Sequence, residues 1–383
     1  MSDSIIKTKK YDVAIIGGGL AGLCLAIQLG RKKVKTVLFE KEHYPFHKVC
    51  GEYISFESEA FLKELGFDIK KFNLPVIKNL KISAPNGFAI NTKLPLGGFG
   101  VSRYMLDDFL YKTALKHGVD VFTGCKVGST KNIFNYTEIY TTHGIFEAEI
   151  VCGSWGKRSN LDVQFGRSFI KPKNRNLNNY VGIKYHVVAD LPDDLIELHN
   201  FKNGYCGISK VEENRYCMCY LVSGNELKKV NGNIKKLEET VLYQNPHLKN
   251  YFTRFKRLYS EPLAISQISF EPKETISNNI IMLGDSAGLI TPLCGNGMSM
   301  AMHASKLLFE ELTKYFDKEI DKETLFTNFS KKWKKQFSKR LAVGRIIQQF
   351  FGKPVTTNIA IRFLNKMPYV LSKIISLTHG KPF

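Results

Sequence analysis

The chain has 383 residues, of which 44% are hydrophobic and 23% are charged, a composition typical of a folded globular protein rather than a disordered one. Its formal net charge is +20, and the excess is concentrated near the end, because twelve basic residues and no acidic residue follow Glu323. No apolar stretch reaches the ~18 to 20 residues needed to cross a bilayer. We therefore expect a cytoplasmic globular protein of one large domain or two closely joined domains.

Eight cysteines are scattered along the chain, at positions 24, 50, 125, 152, 206, 217, 219 and 294. They include no Cys-x-x-Cys pair, and no histidine spacing beside them suits zinc. The pattern predicts reduced thiols and no metal site. Cys217 and Cys219 share one face of a predicted strand, where packing is the expected role.

The first predicted unit is a strand over residues 11–16, a glycine turn and a helix that continues through residues 23–29. Within the turn, Gly17 permits a sharp change of direction, Gly19 lets a pyrophosphate approach the backbone, and Gly22 lets the helix pack closely on the strand. A phosphate group would then meet the N-terminus of the helix, where unpaired amides favour negative charge. The order strand, turn, helix predicts a Rossmann-type dinucleotide site.

A second predicted strand over residues 36–39 ends at Glu40, about twenty residues after the glycine turn, where this motif places a ribose-binding acid. A carboxylate there repels a 2′-phosphate, which favours FAD or NAD over NADP. A glycine turn alone would also fit an ordinary α/β domain. The strand, the helix and the acid in register favour the dinucleotide reading.

The middle of the chain predicts a second sheet. Residues 80–91 read as a hairpin, because Asn86-Gly87 suits its turn, and residues 181–188, 204–209 and 215–222 alternate as strands do. We expect an antiparallel sheet that is interleaved with the Rossmann unit and forms one wall of a substrate pocket.

The segment at residues 280–301 indicates which dinucleotide is bound. A strand ends at Asp285, and Pro292, Gly295 and Gly297 form a loop before a helix that begins near Met298. An acid at such a strand end can accept hydrogen bonds from a polyol, and a glycine-rich helix start offers amides to the edge of a flavin ring. This pattern favours FAD.

Two further segments, His47-Lys-Val-Cys-Gly-Glu52 and Val101-Ser-Arg-Tyr-Met-Leu-Asp-Asp-Phe-Leu110, follow in the order found in a known family. With the motifs above, the sequence resembles flavoproteins of the para-hydroxybenzoate hydroxylase fold, and within them the geranylgeranyl reductase branch. The resemblance spans roughly residues 11–310. It implies an α/β fold, with a Rossmann-type FAD-binding domain interleaved with an antiparallel β-sheet substrate domain, followed by C-terminal helices.

The resemblance also implies domain boundaries. The FAD-binding domain would comprise residues 1–72, 97–178 and 265–320, the substrate domain residues 73–96 and 179–264, and the basic helical region residues 321–383.

The implied cofactor contacts divide the FAD molecule between four places. They are to the ADP half, to the dinucleotide as a whole, to the ribityl chain and to the ring system. By the resemblance, the residues that make these contacts would be Gly17, Gly19, Leu20, Ala21, Gly22, Glu40, Lys41, Lys48, Arg103, Asp285, Pro292, Gly295, Asn296, Gly297 and Met298. Arg103 could instead be a solvated residue at a helix start, and Asp285 could be a helix N-cap.

The Cys-Gly-Glu segment carries the candidate catalytic residues. By the resemblance it faces flavin and substrate, so Cys50 could act as an acid or only shape the pocket, as a buried cysteine commonly does. Glu52 could be a proton donor or a capping acid. The sequence leaves both alternatives open.

One departure from the family concerns the reductant. The related hydroxylases carry a Gly-Ala-Asp-Gly-like turn, but here residues 153–156 read Gly-Ser-Trp-Gly and place Trp155 where the acid would be. That segment is associated with FAD and nicotinamide binding in the hydroxylases. The absence of the acid argues against the hydroxylases' usual route of reduction by NAD(P)H. The external reductant could be NAD(P)H bound in another way or a protein electron donor. Lys157 and Arg158 are candidates for attracting an anionic reductant.

The tail combines basic residues with apolar residues at helical spacing, which predicts basic amphipathic helices broken at Pro368. They either pack over the FAD domain with a solvated basic face or contact an anionic membrane at its surface. No nucleic-acid recognition motif accompanies the charge, so nucleic acid is not an expected partner.

The predicted function is FAD-dependent redox chemistry on a hydrophobic or aromatic small molecule, with double-bond reduction or dehydrogenation favoured by the Cys50–Glu52 segment. Oxygen insertion by an FAD-dependent monooxygenase is the alternative within the class. Halogenation is disfavoured, because residues 204–208 lack the usual tryptophan-rich motif and lysine. From another class, the chain could be a peripheral membrane or lipid-binding protein that keeps FAD as a structural element.

Overall fold

The structure, a computed structural model, describes residues 9–171, 178–292, 295–350 and 353–383. Cys294, one of the eight cysteines, lies outside the described residues. The strands are β1 (Lys9–Ile16), β2 (Thr36–Phe39), β3 (Tyr53–Ser55), β4 (Val76–Ser83), β5 (Ala89–Gly100), β6 (Asp120–Phe122), β7 (Val127–Asn132), β8 (Thr137–Thr141), β9 (Gly144–Gly153), β10 (Tyr180–Val188), β11 (Leu195–Phe201), β12 (Gly204–Lys210), β13 (Tyr216–Ser223), β14 (Lys256–Arg257), β15 (Leu263–Ile268), β16 (Ile276–Ser277) and β17 (Ile280–Met282). The helices are α1 (Leu20–Arg31), α2 (Glu59–Glu64), α3 (Arg103–Lys116), α4 (Asn160–Gln164), α5 (Gly224–Lys229), α6 (Ile234–Thr240), α7 (Pro246–Arg254), α8 (Gly297–Phe316), α9 (Lys322–Phe350), α10 (Pro354–Lys366) and α11 (Pro368–Thr378).

The first sheet is the Rossmann sheet. Its parallel strands run in the order β6, β2, β1, β9 and β17, with the short antiparallel strand β16 at one edge. Helix α1 is buried from Leu20 to Gly30 and packs against α3 and α8. Because the strand order reverses between β1 and β9, a ligand crevice is expected at the carboxyl ends of these two strands.

The second sheet runs in the order β14, β10, β13, β12, β11, β4, β5 and β3, with β15 paired to β10. It confirms the predicted strands at residues 181–188, 204–209 and 215–222 and the hairpin around Asn86-Gly87. One pair, β4 with β11, is parallel and departs from the wholly antiparallel sheet expected. Strand β11, which completes this pair, was not predicted from the sequence.

Helices cover both ends of the second sheet. Leu237, Leu248 and Phe252 of the α6–α7 region pack on strands β10, β12 and β13. Ile361 of α10 and Leu371 of α11 pack on strands β4 and β5. Strand β3 and most of β15 fall in segments assigned to the FAD-binding domain, and yet both strands pair within this sheet. The domain boundaries themselves stay a prediction.

The C-terminal helices form as the sequence predicts, with a break at Pro368 between α10 and α11. In α9 a buried apolar stripe at four-residue spacing, which includes Phe329, Trp333 and Phe337, packs into the core of the Rossmann sheet. Among the helices that the structure describes, none combines the length and the apolar character needed to cross a membrane.

Candidate functional site

The glycine turn between β1 and α1 is shaped by close backbone packing. Gly17 has φ of +105°, and a Cβ there would lie 2.5 Å from the carbonyl oxygen of Ser154. A Cβ on Gly22 would overlap the carbonyl oxygen of Gly17. Around Gly19, by contrast, an added Cβ would meet its nearest atoms at 3.9 Å. The first and last glycines are therefore required by the fold, and the middle one borders open space.

The N-terminus of α1 is suited to an anion. Its N-cap is Gly19, and no side chain among the described residues caps it, while Leu20 and Ala21 are buried. The first amides of a helix have no intrahelical partner and carry a partial positive charge. Buried amides of this kind fit the diphosphate of a dinucleotide.

Glu40 stands at the end of β2, beside the glycine turn. Its Oε2 accepts a hydrogen bond from the amide of Gly18 at 2.9 Å, and its Oε1 accepts one from the amide of Glu42 at 3.1 Å. The side chain is 6% exposed. This carboxylate lies where the ribose of an ADP group would follow the diphosphate. Lys41, also predicted to bind the cofactor, has a side chain that is 68% exposed and pairs with Glu42.

Arg103, at the start of α3, lies next to the same turn. Its Nη2 is 3.9 Å from the position of a Cβ on Gly19, and its guanidinium makes two 2.7 Å hydrogen bonds to Asp107. Lys48 Nζ reaches the same carboxylate at 3.1 Å. Two cations thus share one buried carboxylate close to the N-terminus of α1.

The protonation states agree with this arrangement. Burial alone would raise the pKa of Asp107, but Arg103 and Lys48 outweigh it and lower that pKa. Burial alone would lower the pKa of Arg103, but the charge of Asp107 outweighs the effect of burial and raises that pKa. Arg103 and Asp107 are therefore both charged at neutral pH.

The turn that carries Asp285 lies against α1. A Cβ on Gly284 would lie 3.3 Å from Cβ of Ala21, and Asp285 lines a small cavity together with Gly297 at the start of α8. Lys273 Nζ donates to the carbonyl oxygens of Asp285 and Lys157, each at 2.8 Å. The structure thus brings the strand-end acid, the start of α1 and the start of α8 together at one edge of the sheet.

The predicted flavin loop, residues 292–298, is described except for residues 293 and 294. Gly295 has φ of +63° and lies beside the ring of Tyr53, which follows the Cys-Gly-Glu segment. Asn296 is buried, and its Nδ2 donates to the carbonyl oxygen of Thr378 at 2.8 Å. Met298 is also buried. The loop is therefore held between the second sheet and the end of α11.

Glu52 lies in a buried charge cluster that the sequence analysis did not anticipate. Its Oε1 accepts hydrogen bonds from Lys184 Nζ at 2.5 Å and from the amide of Arg103 at 2.8 Å, and its Oε2 lies 2.7 Å from His186 Nε2. Burial would raise the pKa of Glu52, but Lys184 and His186 outweigh it and lower the pKa to about 2. The ionised carboxylate accepts the first amide of α3, which favours the capping role over proton donation.

Cys50 is half-buried, and its carbonyl oxygen accepts a hydrogen bond from the thiol of Cys217 at 3.2 Å. Cys217, Glu52 and His186 bring three potential metal-ligand atoms within 4.8 Å of one another. The ammonium group of Lys184 already supplies the positive charge at this carboxylate. The cluster is therefore satisfied as an ion network by the protein itself.

Trp155 occupies the position where the hydroxylases carry an acid. Its Nε1 lies 3.1 Å from both carboxylate oxygens of Asp162, which also forms an ion pair with Arg167 at 2.8 Å. A Cβ on Gly153 would overlap the indole ring, so the ring packs directly on the strand end. The tryptophan thus ties the turn to α4 and leaves no free carboxylate in it.

Four residues of the site escaped the sequence analysis: Tyr44, Ser154, Lys184 and His186. The Tyr44 hydroxyl donates to the carbonyl oxygen of Gly18 at 2.5 Å, and the Ser154 hydroxyl donates to that of Gly17. Lys184 and His186 face one side of β10. Two polar side chains at two-residue spacing on an otherwise apolar strand were the signal that could have revealed them.

Comparisons with known proteins agree with this geometry. A profile of the NAD(P)-binding Rossmann-like domain matches residues 15–49. The digeranylgeranylglycerophospholipid reductase of Methanococcus vannielii is 23% identical over 87% of this chain and 84% of its own length. Conditioned medium factor receptor 1 of Dictyostelium discoideum is 24% identical over 93% of this chain and 74% of its own length.

Two solved structures share the fold over nearly the whole chain. The flavin-dependent brominase Bmp2 has a TM-score of 0.78 at 16% identity, covering 97% of this chain and 93% of its own. A geranylgeranyl bacteriochlorophyll reductase-like protein of Thermoplasma acidophilum has a TM-score of 0.69 at 18% identity, covering 98% and 93%. At these identities the solved structures establish the fold and not the reaction. Together with the reductase relatives, they agree with the predicted resemblance: this chain has the fold of solved flavin-dependent enzymes and is similar in sequence to digeranylgeranylglycerophospholipid reductases.

Proposed function

We propose that this protein reduces carbon–carbon double bonds of a hydrophobic, isoprenoid-type molecule. The observation that carries the proposal is the similarity to the digeranylgeranylglycerophospholipid reductase of Methanococcus vannielii, which extends over 87% of this chain. The relatives' name supplies the substrate class. The arrangement of charged groups around Cys50 supports the reaction type.

Reduction of an isolated double bond needs a hydride at one carbon and a proton at the other. Bound FAD in its reduced form supplies the hydride, as flavins do in other reductases. The protein must supply the proton. Glu52 is ionised and accepts three hydrogen bonds, so it is not the donor. Within the segment, the thiol of Cys50 remains as the group able to give a proton.

The surroundings of Cys50 suit that task. Arg103 and Lys184 both interact electrostatically with Cys50. After Cys50 has given its proton to the substrate carbon, solvent returns a proton to the sulfur. Glu52 acts as a positioning residue, because its bonds to Lys184 and to the amide of Arg103 fix both cations.

The external reductant is part of the same proposal. Because Trp155, bonded to Asp162 of α4, occupies the turn that the related hydroxylases use for nicotinamide, we infer a reductant that delivers electrons without binding in that turn. A small redox protein fits this requirement better than NAD(P)H. Mixing the oxidised holoenzyme with NADPH, NADH and reduced ferredoxin, and following flavin bleaching, distinguishes the three.

The decisive experiment is product analysis with the dithionite-reduced holoenzyme. Without oxygen, an unsaturated phospholipid with geranylgeranyl chains should gain two hydrogens for each reduced bond. A gain of one oxygen atom that depends on air would instead establish a monooxygenase, and the absence of any turnover by a flavin-containing protein would favour a lipid-binding protein with structural FAD.

Variants at two cysteines sharpen this assay. Cys50→Ala should keep its flavin and lose about 10²-fold or more in turnover, the usual contribution of a positioned proton donor. Cys219→Ala is the matched control, because Cys219 lies two residues from Cys217 on β13 and has no assigned role in proton transfer. Equal turnover by the two variants would refute the role of Cys50.

A further inference from the structure

Helix α10 is apolar on two sides. Its inner side carries Ile361, which is 1% exposed and packs on strands β4 and β5. Its outer side carries apolar residues that face solvent: Val355, Ile359 and Phe363 are 71%, 64% and 55% exposed. Met367, which caps the helix, is 41% exposed. A helix on a water-facing surface normally places polar residues on its outer side.

These four residues form one continuous stripe. Positions 355, 359, 363 and 367 are each four residues apart, so their side chains lie one above the other along the helix. Tyr369, at the start of α11, is 79% exposed and extends the apolar surface beyond the stripe. A contiguous exposed apolar patch of this kind marks an interaction site more often than single exposed residues do.

Basic residues border the stripe. Lys353, Arg362 and Lys366 are exposed around α10, and Lys373 and Lys381 are exposed beyond it. No acidic residue follows Glu323 in the sequence. An apolar stripe with basic flanks and no acidic residue is the pattern of helices that lie in the interface of an anionic membrane.

We propose that α10 docks this protein on an anionic membrane surface, with the stripe 355–359–363–367 among the upper parts of the acyl chains and the flanking cations at the headgroups. The helix has 13 residues and so spans about 20 Å, less than the ~30 Å hydrocarbon core. It can therefore lie on a bilayer but cannot cross one. A second copy of the chain is a poorer occupant, because two strongly basic faces repel each other.

The inference deepens the proposed function, since a long isoprenoid chain would be drawn from the same membrane, but it stands on α10 alone. Docking on the bilayer shortens the path of such a substrate from the acyl-chain region to the enzyme. Docking on an anionic bilayer also requires both the apolar stripe and the flanking cations. Neither property is needed for a fold that binds only small soluble molecules.

Flotation of the holoprotein with vesicles tests the inference directly. Vesicles of phosphatidylcholine with about one third phosphatidylglycerol should bind the protein at moderate ionic strength, and pure phosphatidylcholine vesicles should bind it much less. The double variant Ile359→Glu/Phe363→Glu should lower the partition coefficient at least about tenfold. Both substituted side chains are exposed, so flavin content and melting temperature should stay unchanged.

The matched control is Phe134→Glu. Phe134 is 97% exposed and lies between β7 and β8, away from α10 in the chain. This variant should bind vesicles as the unaltered protein does. A second pair, Lys353→Gln/Lys366→Gln, should weaken binding to the anionic vesicles and leave the weak binding to neutral vesicles unchanged.

Two results would overturn the inference. The first is equal vesicle binding by the unaltered protein and by the Ile359→Glu/Phe363→Glu variant. The second is a dimer in sedimentation that this variant converts to a monomer, because the stripe would then be an interface between copies. Failure of docking is distinguishable from failure of the reductase proposal: substrate in detergent tests turnover without a membrane, and flotation tests docking without turnover.

Discussion

The Glu52 carboxylate and the Lys184 ammonium group lie 2.5 Å apart, in a site where both side chains are at most 1% exposed. Glu52 also has φ of +56°, a backbone conformation that non-glycine residues seldom adopt. The cluster holds the Cys50 loop against β10 and supports the start of α3 through the amide of Arg103. Two segments that lie 132 residues apart in the chain thus meet at one ion pair.

Glu52→Gln should destabilise the fold by about 3–5 kcal/mol, because it leaves the buried ammonium group of Lys184 without its counter-charge. Urea unfolding at pH 7 measures the loss. The double variant Glu52→Gln/Lys184→Met removes both charges and should recover much of it. If the double variant is no more stable than Glu52→Gln, the ion pair does not carry the stability of the cluster.

The same pair predicts a pH dependence. The pKa of Glu52 is about 2 in the folded state, below the 4.5 usual for a glutamate side chain. Its contribution is therefore fully present above pH 4.5 and is lost as the pH falls from 4.5 towards 2. The stability difference between the unaltered protein and Glu52→Gln should shrink over that window and stay constant above it. A difference that is constant down to pH 3 would contradict the assignment.

Gly22→Ala should abolish flavin binding, because the added Cβ would overlap the carbonyl oxygen of Gly17 and push the turn away from α1. Gly128→Ala is the matched control, since the nearest heavy atom to a Cβ there is 3.8 Å away. The ratio of flavin to protein absorbance after reconstitution with excess FAD measures the effect. Full flavin occupancy in Gly22→Ala would show that the cofactor does not depend on this turn.

Glu40→Gln should weaken FAD binding by about 10- to 100-fold, the range expected when a charged acceptor of hydrogen bonds is lost. Glu42→Gln is the control, because the Glu42 side chain is 50% exposed in the same loop. Fluorescence titration of the apoprotein with FAD gives both dissociation constants. Equal constants for the two variants would remove Glu40 from the cofactor site.

Lys273 predicts a second pH effect, of the same sign but at alkaline pH. Burial lowers its pKa to about 8, although Asp285 and Asp162 act to raise it. Between pH 8 and 10.5 the unfolded chain keeps this proton and the folded chain does not, so stability rises with pH in that window. The unfolding free energy of the unaltered protein should rise relative to that of Lys273→Met from pH 8 to pH 10. A parallel dependence in the two proteins would show that folding does not lower the pKa of Lys273.

Local patterns sufficed for the cofactor domain. A strand, three glycines, a helix and Glu40 occur within about thirty residues, so their spacing alone predicts how they meet. The hairpin at Asn86-Gly87 and the break at Pro368 are local in the same sense, because turn geometry and the missing amide act on neighbouring residues. These elements formed as predicted.

Long-range relationships were beyond sequence reasoning. Nothing near Glu52 in the chain indicates that Lys184 and His186 will contact its carboxylate, because they reach it only when β10 folds over the Cys50 loop. The same holds for Asp107, whose nearest sequence neighbours do not reveal that Lys48 shares it with Arg103.

The C-terminal helices show most clearly which features the sequence determines and which the tertiary structure determines. By itself the sequence determined that α10 is a helix with apolar and basic residues, because helical periodicity is a local property. Only the tertiary structure decided which apolar side is covered: Ile361 packs on the second sheet, and Ile359 and Phe363 are left in solvent. The reason is that burial depends on what another part of the chain brings to a surface, and a periodic pattern specifies no partner.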